Sequence, residues 1–165
     1  MRWFTFFCIL LCISLFQTTL INWIDLGLAV PDLYFPLIIF YSFLTDIKQN
    51  TITNWFTGLS KDLLSEGSLG VNSIFFVVIG FLVWSVRGIL FRGHLVTQVI
   101  ITFVFSIIYN TFYAVHTAIS FHSLSVSTTI WMILVCSLYT AMIVPILSWI
   151  FSKFQPTYKF FFNQK

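Results

Sequence analysis

Charge is what this sequence has least of. Among 165 residues there are five Asp and Glu and eight Lys and Arg, 8% in all, where soluble domains carry about 25%. A water-soluble fold of this length could not cover its surface with so few charges. A separate soluble domain is therefore excluded, and the chain reads as membrane-embedded over essentially its whole length. The cations are scattered along the chain, which leaves no nucleic-acid footprint. Cysteine is scarce too. Cys8, Cys12 and Cys136 form no CxxC pair, lie inside apolar runs and read as packing residues. HExxH, G-x-S-x-G and phosphate-cradling glycine loops are all missing. His116 and His122 share no helix face, and no cysteine or acid completes a ligand set around them. The sequence thus carries no signature of an enzyme, a metal site or a cofactor.

What is there is apolar length. The chain is 59% hydrophobic, with 21 Phe and six Trp. Residues 3–21, 71–90, 95–115 and 125–151 are each long enough for the roughly 20-residue span a bilayer requires. Arg2 ahead of the first run gives it a signal-like start, but no small-residue cleavage site follows, so a retained signal anchor is expected. Two shorter segments, 31–45 and 52–64, read as helices of about 20 Å. They are either short spans that thin the bilayer or broken helices packed inside the bundle. Pro31 and Asp32 suit the start of the first of these, the acid opposing the positive end of the helix dipole.

The expected fold is an all-α membrane protein of six helices, two of them short, forming a single domain. Six spans put both termini on one side. If that side is cytoplasmic, every Lys and Arg except Lys61 falls at an inner end, while Asp25, Asp32, Asp62 and Glu66 fall outside. This is a strong positive-inside bias. The tail from Lys153, with Phe160, Phe161 and Phe162 beside Lys159 and Lys165, fits an interfacial anchor on an anionic leaflet.

Polar residues inside the apolar runs mark candidate sites. Gln98, Thr102, Ser106 and Asn110 recur every four residues along the fifth helix. In a membrane such a stripe bonds helices together or lines a wet cavity. Gly80, Trp84 and Gly88 share a face of the fourth helix and permit close backbone approach. The segment GLSKDLLSEGSLGVN, residues 58–72, gathers Lys61, Asp62 and Glu66 with three glycines. Asp62 and Glu66 lie four apart and repel, so they are read as facing water or a cationic partner rather than as an acid–base pair. Asn72 or Ser68 is the expected cap of the fourth helix.

Within that segment, Gly58, Leu59, Asp62, Leu63, Leu64, Leu69, Gly70 and Asn72 form G-L-x-x-D-L-L-x-x-x-x-L-G-x-N. This resembles the signature of the bacterial rod shape-determining MreD family. Pro31-Asp32-Leu33 resembles the start of that family's second helix, and Arg87, after Gly80-Phe81-Leu82, the arginine closing its fourth. Lys61, Pro36 and the abundance of Phe depart from the pattern. The resemblance implies a non-catalytic scaffold of the inner membrane, with both termini cytoplasmic, in the machinery that builds side-wall peptidoglycan. It implies MreC as direct partner, with MreB, RodA and a class B penicillin-binding protein in the same assembly. It also implies a bundle similar to the substrate-binding subunits of energy-coupling-factor transporters. On this reading Asp32, Asp62 and Glu66 form a partner-binding outer rim, and Gly58, Gly70 and Asn72 shape its turn. The alternative is a solute-binding transport subunit that uses Gln98, Thr102, Ser106 and Asn110 as pocket lining.

Overall fold

The computed structural model describes residues 3–20, 30–65, 69–87, 95–121 and 126–154. Among these there are six helices and no strand: α1 (Trp3–Leu20), α2 (Tyr34–Leu44), α3 (Ile47–Leu64), α4 (Val71–Val86), α5 (Leu95–Phe121) and α6 (Val126–Phe154). Two segments are long and apolar enough to cross a membrane, Val96–Val115 in α5 and Ser127–Phe151 in α6. Shorter apolar helices cover Trp3–Thr19, Tyr34–Leu44 and Val71–Val86. Glu66 and the tail beyond residue 154 lie outside the described residues, as do His94, His122 and Gly88.

Two helix ends differ from the sequence expectation, α4 stopping at Val86 instead of residue 90 and α5 running on to Phe121 instead of residue 115, and two helix starts differ for a physical reason. The third helix begins at Ile47 instead of residue 52. Its polar opening, Lys48-Gln49-Asn50, reads as a loop, yet Asn50 is buried and its side chain is bonded to neighbouring helices. The second helix begins at Tyr34 instead of residue 31, because Asp32 stays outside it and accepts a hydrogen bond from the Tyr34 N–H at 3.1 Å. Pro36 then falls in the first turn, where its missing N–H costs nothing.

The centre of the molecule is α2. It has 11 residues, about 16 Å of helix, and every side chain from Tyr34 to Phe43 is buried. A helix apolar on all sides must be surrounded on all sides, and α3, α4, α5 and α6 surround it. The short segment is packed inside the bundle. The most extensive packing is between α3 and α4 and between α5 and α6. The fold is thus two antiparallel hairpins around a central short helix, with α1 laid against α3.

Phenylalanine supplies the joints. Ring pairs link α1 to α2 (Phe6–Tyr41, 5.0 Å), α2 to α5 (Phe35–Tyr109, 5.0 Å) and α2 to α6 (Phe40–Phe151, 5.2 Å). Where lipid tails are as apolar as the side chains, packing rather than water exclusion holds helices together. Aromatic pairs of this geometry contribute about 0.5–1.5 kcal/mol each beyond their area.

Candidate functional site

The polar and charged residues converge at the end of the bundle that carries the α3–α4 turn. The site is built on Gly58, where a Cβ would lie 2.3 Å from the Cα of Ser73. The α3 and α4 backbones therefore touch, and any side chain at this position would force them apart. One turn further along α3 comes Asp62, which is 1% exposed. One of its oxygens, Oδ2, accepts from the N–H groups of Gly70 (3.1 Å) and Ser73 (3.0 Å) and from the Ser73 hydroxyl (2.6 Å). The other, Oδ1, accepts from the Asn72 N–H (3.1 Å).

A helix leaves its first N–H groups without intrahelical partners. Here one carboxylate from the preceding helix satisfies them and sets a negative charge at the positive end of the α4 dipole. Gly70 turns the chain with φ of +95°, a left-handed conformation that glycine adopts freely.

This arrangement corrects two expectations. Asp62 does not face water or a partner; it is consumed inside the protein. Asp62 caps α4, and Asn72 does not, because the Asn72 side chain points elsewhere: its Oδ1 accepts the Tyr109 hydroxyl of α5 at 2.5 Å; Ser68, the other expected cap, lies outside the described residues. Among the described residues beside the turn, leucines face outward. Leu63, Leu64 and Leu69 are 68%, 50% and 73% exposed, while Leu59 is half-buried.

Asp32 is also buried. Its Oδ2 pairs with the Lys61 ammonium, and its N–H donates to Thr140 Oγ1 of α6 at 3.0 Å. The ammonium stands 4.5 Å from the centroid of the Tyr109 ring and 5.4 Å from that of Phe76. Lys61, out of pattern in the sequence, is thus the counter-charge of Asp32 inside an aromatic box. The residues flanking Asp32 are fixed from α1: Gln17 donates to the Pro31 carbonyl and accepts from the Leu33 N–H, both at 3.0 Å. Below them the Tyr34 hydroxyl donates to Ser14 Oγ at 3.1 Å, and Ser14 bonds Ser60 at 2.7 Å.

The far end of α2 is closed by Arg87. Its Nη1 donates to the carbonyls of Thr45 (2.5 Å), Ser42 (3.1 Å) and Phe43 (3.4 Å), and its guanidinium lies 5.1 Å from the Trp84 ring centroid. A cation at a helix C-terminus complements both the dipole and the orphan carbonyls. Between the two ends, Asn50 Nδ2 donates to the Gly80 carbonyl at 2.8 Å, and Asn50 Oδ1 accepts from Ser42 Oγ (2.8 Å) and Asn54 Nδ2 (2.7 Å). A Cβ on Gly80 would sit 1.7 Å from Asn54 Nδ2. Gly80 is therefore small to admit an asparagine side chain.

The stripe on α5 serves packing. Gln98, Thr102 and Ser106 are buried. Gln98 Oε1 accepts from Ser148 of α6 at 2.9 Å, and Asn110 Nδ2 donates to Ser137 of α6 at 3.1 Å and to Ser106 at 3.2 Å. Thr102 donates back to the Gln98 carbonyl at 2.7 Å. These bonds close α5 onto α6, leaving the stripe as seam rather than pocket lining.

Sequence reasoning passed over Asn50, Asn54 and Ser42. Two asparagines four apart in a segment that must be helical are a readable sign of one buried polar face. Tyr109 carried no such sign, since only the fold brings it to Asn72 and Lys61.

A family model described as rod shape-determining protein MreD matches residues 1–155. No curated protein and no solved structure matches the chain.

Proposed function

The chain belongs to the rod shape-determining protein MreD family, and from that premise we infer that it acts as a non-catalytic scaffold of the rod complex. In this reading it lies in the bacterial inner membrane with both termini cytoplasmic. All six helices contribute to the membrane bundle, which is of the kind found in substrate-binding subunits of energy-coupling-factor transporters. It binds MreC directly and supports side-wall peptidoglycan synthesis with MreB, RodA and a class B penicillin-binding protein.

The observation that carries this reading is the family match over residues 1–155, joined to the purpose its signature residues serve. Gly58, Asp62, Gly70 and Asn72 all hold one turn in one shape. Their carboxylate and amide groups are used up internally, which suits a rigid platform rather than acid–base chemistry at these four positions. The positive-inside distribution supports placing this turn on the periplasmic side. The proposed docking rim is then the exposed trio Leu63, Leu64 and Leu69 at that turn, with Glu66 between them in sequence. Asp32 and Asp62 contribute from behind, by fixing the turn against α2 and α4.

Depletion in rod-shaped cells tests the role. Rounding that is rescued by the wild-type chain supports the scaffold, and rods that persist through depletion contradict it. Co-purification of MreC with the tagged chain tests the partner.

A further inference from the structure

Between α1 and α6 runs a groove of about 480 Å³. One wall is α1, through Cys8, Cys12 and Phe16; the other is α6, through Leu147 and Phe151; Leu33, just ahead of α2, lines it at the Phe16 end, where its N–H donates to Gln17. No polar atom is exposed into it. It exists because α1 packs on α3 instead of on α6, and because Thr5, Cys8 and Cys12 are too small to bridge the gap.

We propose that this groove holds one acyl chain of an anionic phospholipid, taken from the leaflet at the basic end of the bundle. Three observations select this occupant. The first is length. From Thr5 to Phe16 the α1 wall rises about 16 Å, close to half of the roughly 30 Å hydrocarbon core. The groove is therefore one leaflet deep, where a partner's transmembrane helix would need a track through both. The second is volume, which falls within the roughly 300–1,000 Å³ of sites that enclose a small ligand. The third is charge. The end away from Leu33 is the end where Lys153 follows Phe151, and Arg2 immediately precedes α1 in sequence. Lys153 is exposed, with its ammonium 3.9 Å from the Trp149 ring centroid. A lysine and tryptophan so placed mark the level of the headgroups. At the opposite end Lys61 is already paired with Asp32, so a phosphate is drawn to the exposed Lys153.

A chain held there would fill the gap between the first and last helices and make the lipid a structural part of the bundle. The experiment is native mass spectrometry of the full-length protein after stepwise delipidation, followed by addition of phosphatidylglycerol or phosphatidylcholine. The wild type is expected to retain one phospholipid and to rebind phosphatidylglycerol several-fold more tightly than phosphatidylcholine. Cys12→Trp fills the groove from α1 and Leu147→Trp fills it from α6; both should lose retention several-fold. Lys153→Glu should keep a bound lipid but lose the preference for phosphatidylglycerol. Retention unchanged in both tryptophan variants overturns the proposal. So does a wild type that emerges lipid-free, or one in which Cys12 cross-links to another polypeptide's helix in place of lipid. These outcomes stand apart from whether MreC binds, since the groove does not include the α3–α4 turn.

Discussion

Lys61 of α3 and Asp32, just ahead of α2, neutralise one another. The pair has a particular cost structure. Two opposite charges brought together out of water can break even, whereas either one left alone is strongly unfavourable. Lys61 also lies over Tyr109, which bonds Asn72, whose own N–H is held by Asp62. The ion pair and the capped turn are therefore one connected structure, and a defect in either should be felt in the other.

Breaking the pair from one side should be costly and removing it altogether should not. Asp32→Asn or Lys61→Met alone is expected to cost about 3–5 kcal/mol, read as a lowered melting temperature in detergent. The double variant Asp32→Asn with Lys61→Met should recover most of the loss. Single losses that simply add in the double variant would show that the two groups are not energetically coupled.

The two glycines at the turn should respond differently. At Gly58 alanine meets backbone at 2.3 Å, so α3 and α4 must separate. At Gly70 nothing lies within 4 Å of an added Cβ, and the penalty is that of a left-handed backbone alone, about 1–2 kcal/mol. Gly58→Ala should therefore lower the melting temperature more than Gly70→Ala. The reverse order in a thermal-shift assay would contradict the close approach of the two helices.

Removing the cap should weaken the turn without preventing insertion. Asp62→Ala frees three N–H groups and a hydroxyl, and should cost at least the roughly 1–2 kcal/mol of a lost helix cap. Asp62→Asn keeps acceptor oxygen but not the charge and should fall between Asp62→Ala and wild type. Hydrogen exchange at residues 70–73 measures this directly: protection should drop in the order wild type, Asn, Ala.

Arg87 should behave as a clamp on α2. Arg87→Met leaves the carbonyls of Ser42, Phe43 and Thr45 without this donor and is expected to destabilise the protein by about 1–2 kcal/mol. Lysine, with one ammonium in place of the planar fork, should restore part of it. A Lys variant no more stable than Met would argue against a role for the charge at this helix end.

Much of this was legible in the residues. The apolar runs named the helices, and the spacing of Gly58, Asp62, Gly70 and Asn72 named the turn. The residues also placed Arg87 at the opposite end from Asp32 and Asp62. Legibility failed wherever a polar group is satisfied at a distance. Asp62 reads as solvent-facing in sequence because its donors, the free N–H groups of a following helix, carry no sequence signature of their own. Lys61 looks out of pattern in sequence because its counter-charge lies 29 positions away. The start of α3 was missed because Asn50 looks like a loop residue until Gly80 and Ser42 are seen beside it. The stripe on α5 is plain in the sequence, but only the position of α6 decides between a seam and a cavity.

The most direct measurement is co-purification of MreC with a variant carrying Leu64→Arg and Leu69→Arg. Both side chains are exposed at the α3–α4 turn and contribute nothing to the buried ion pair or the cap, so insertion and melting temperature should match the wild type. The prediction is that MreC is lost from the purified complex and that cells relying on this variant round up. MreC recovered in undiminished amount, with rods maintained, would contradict a docking surface at this turn.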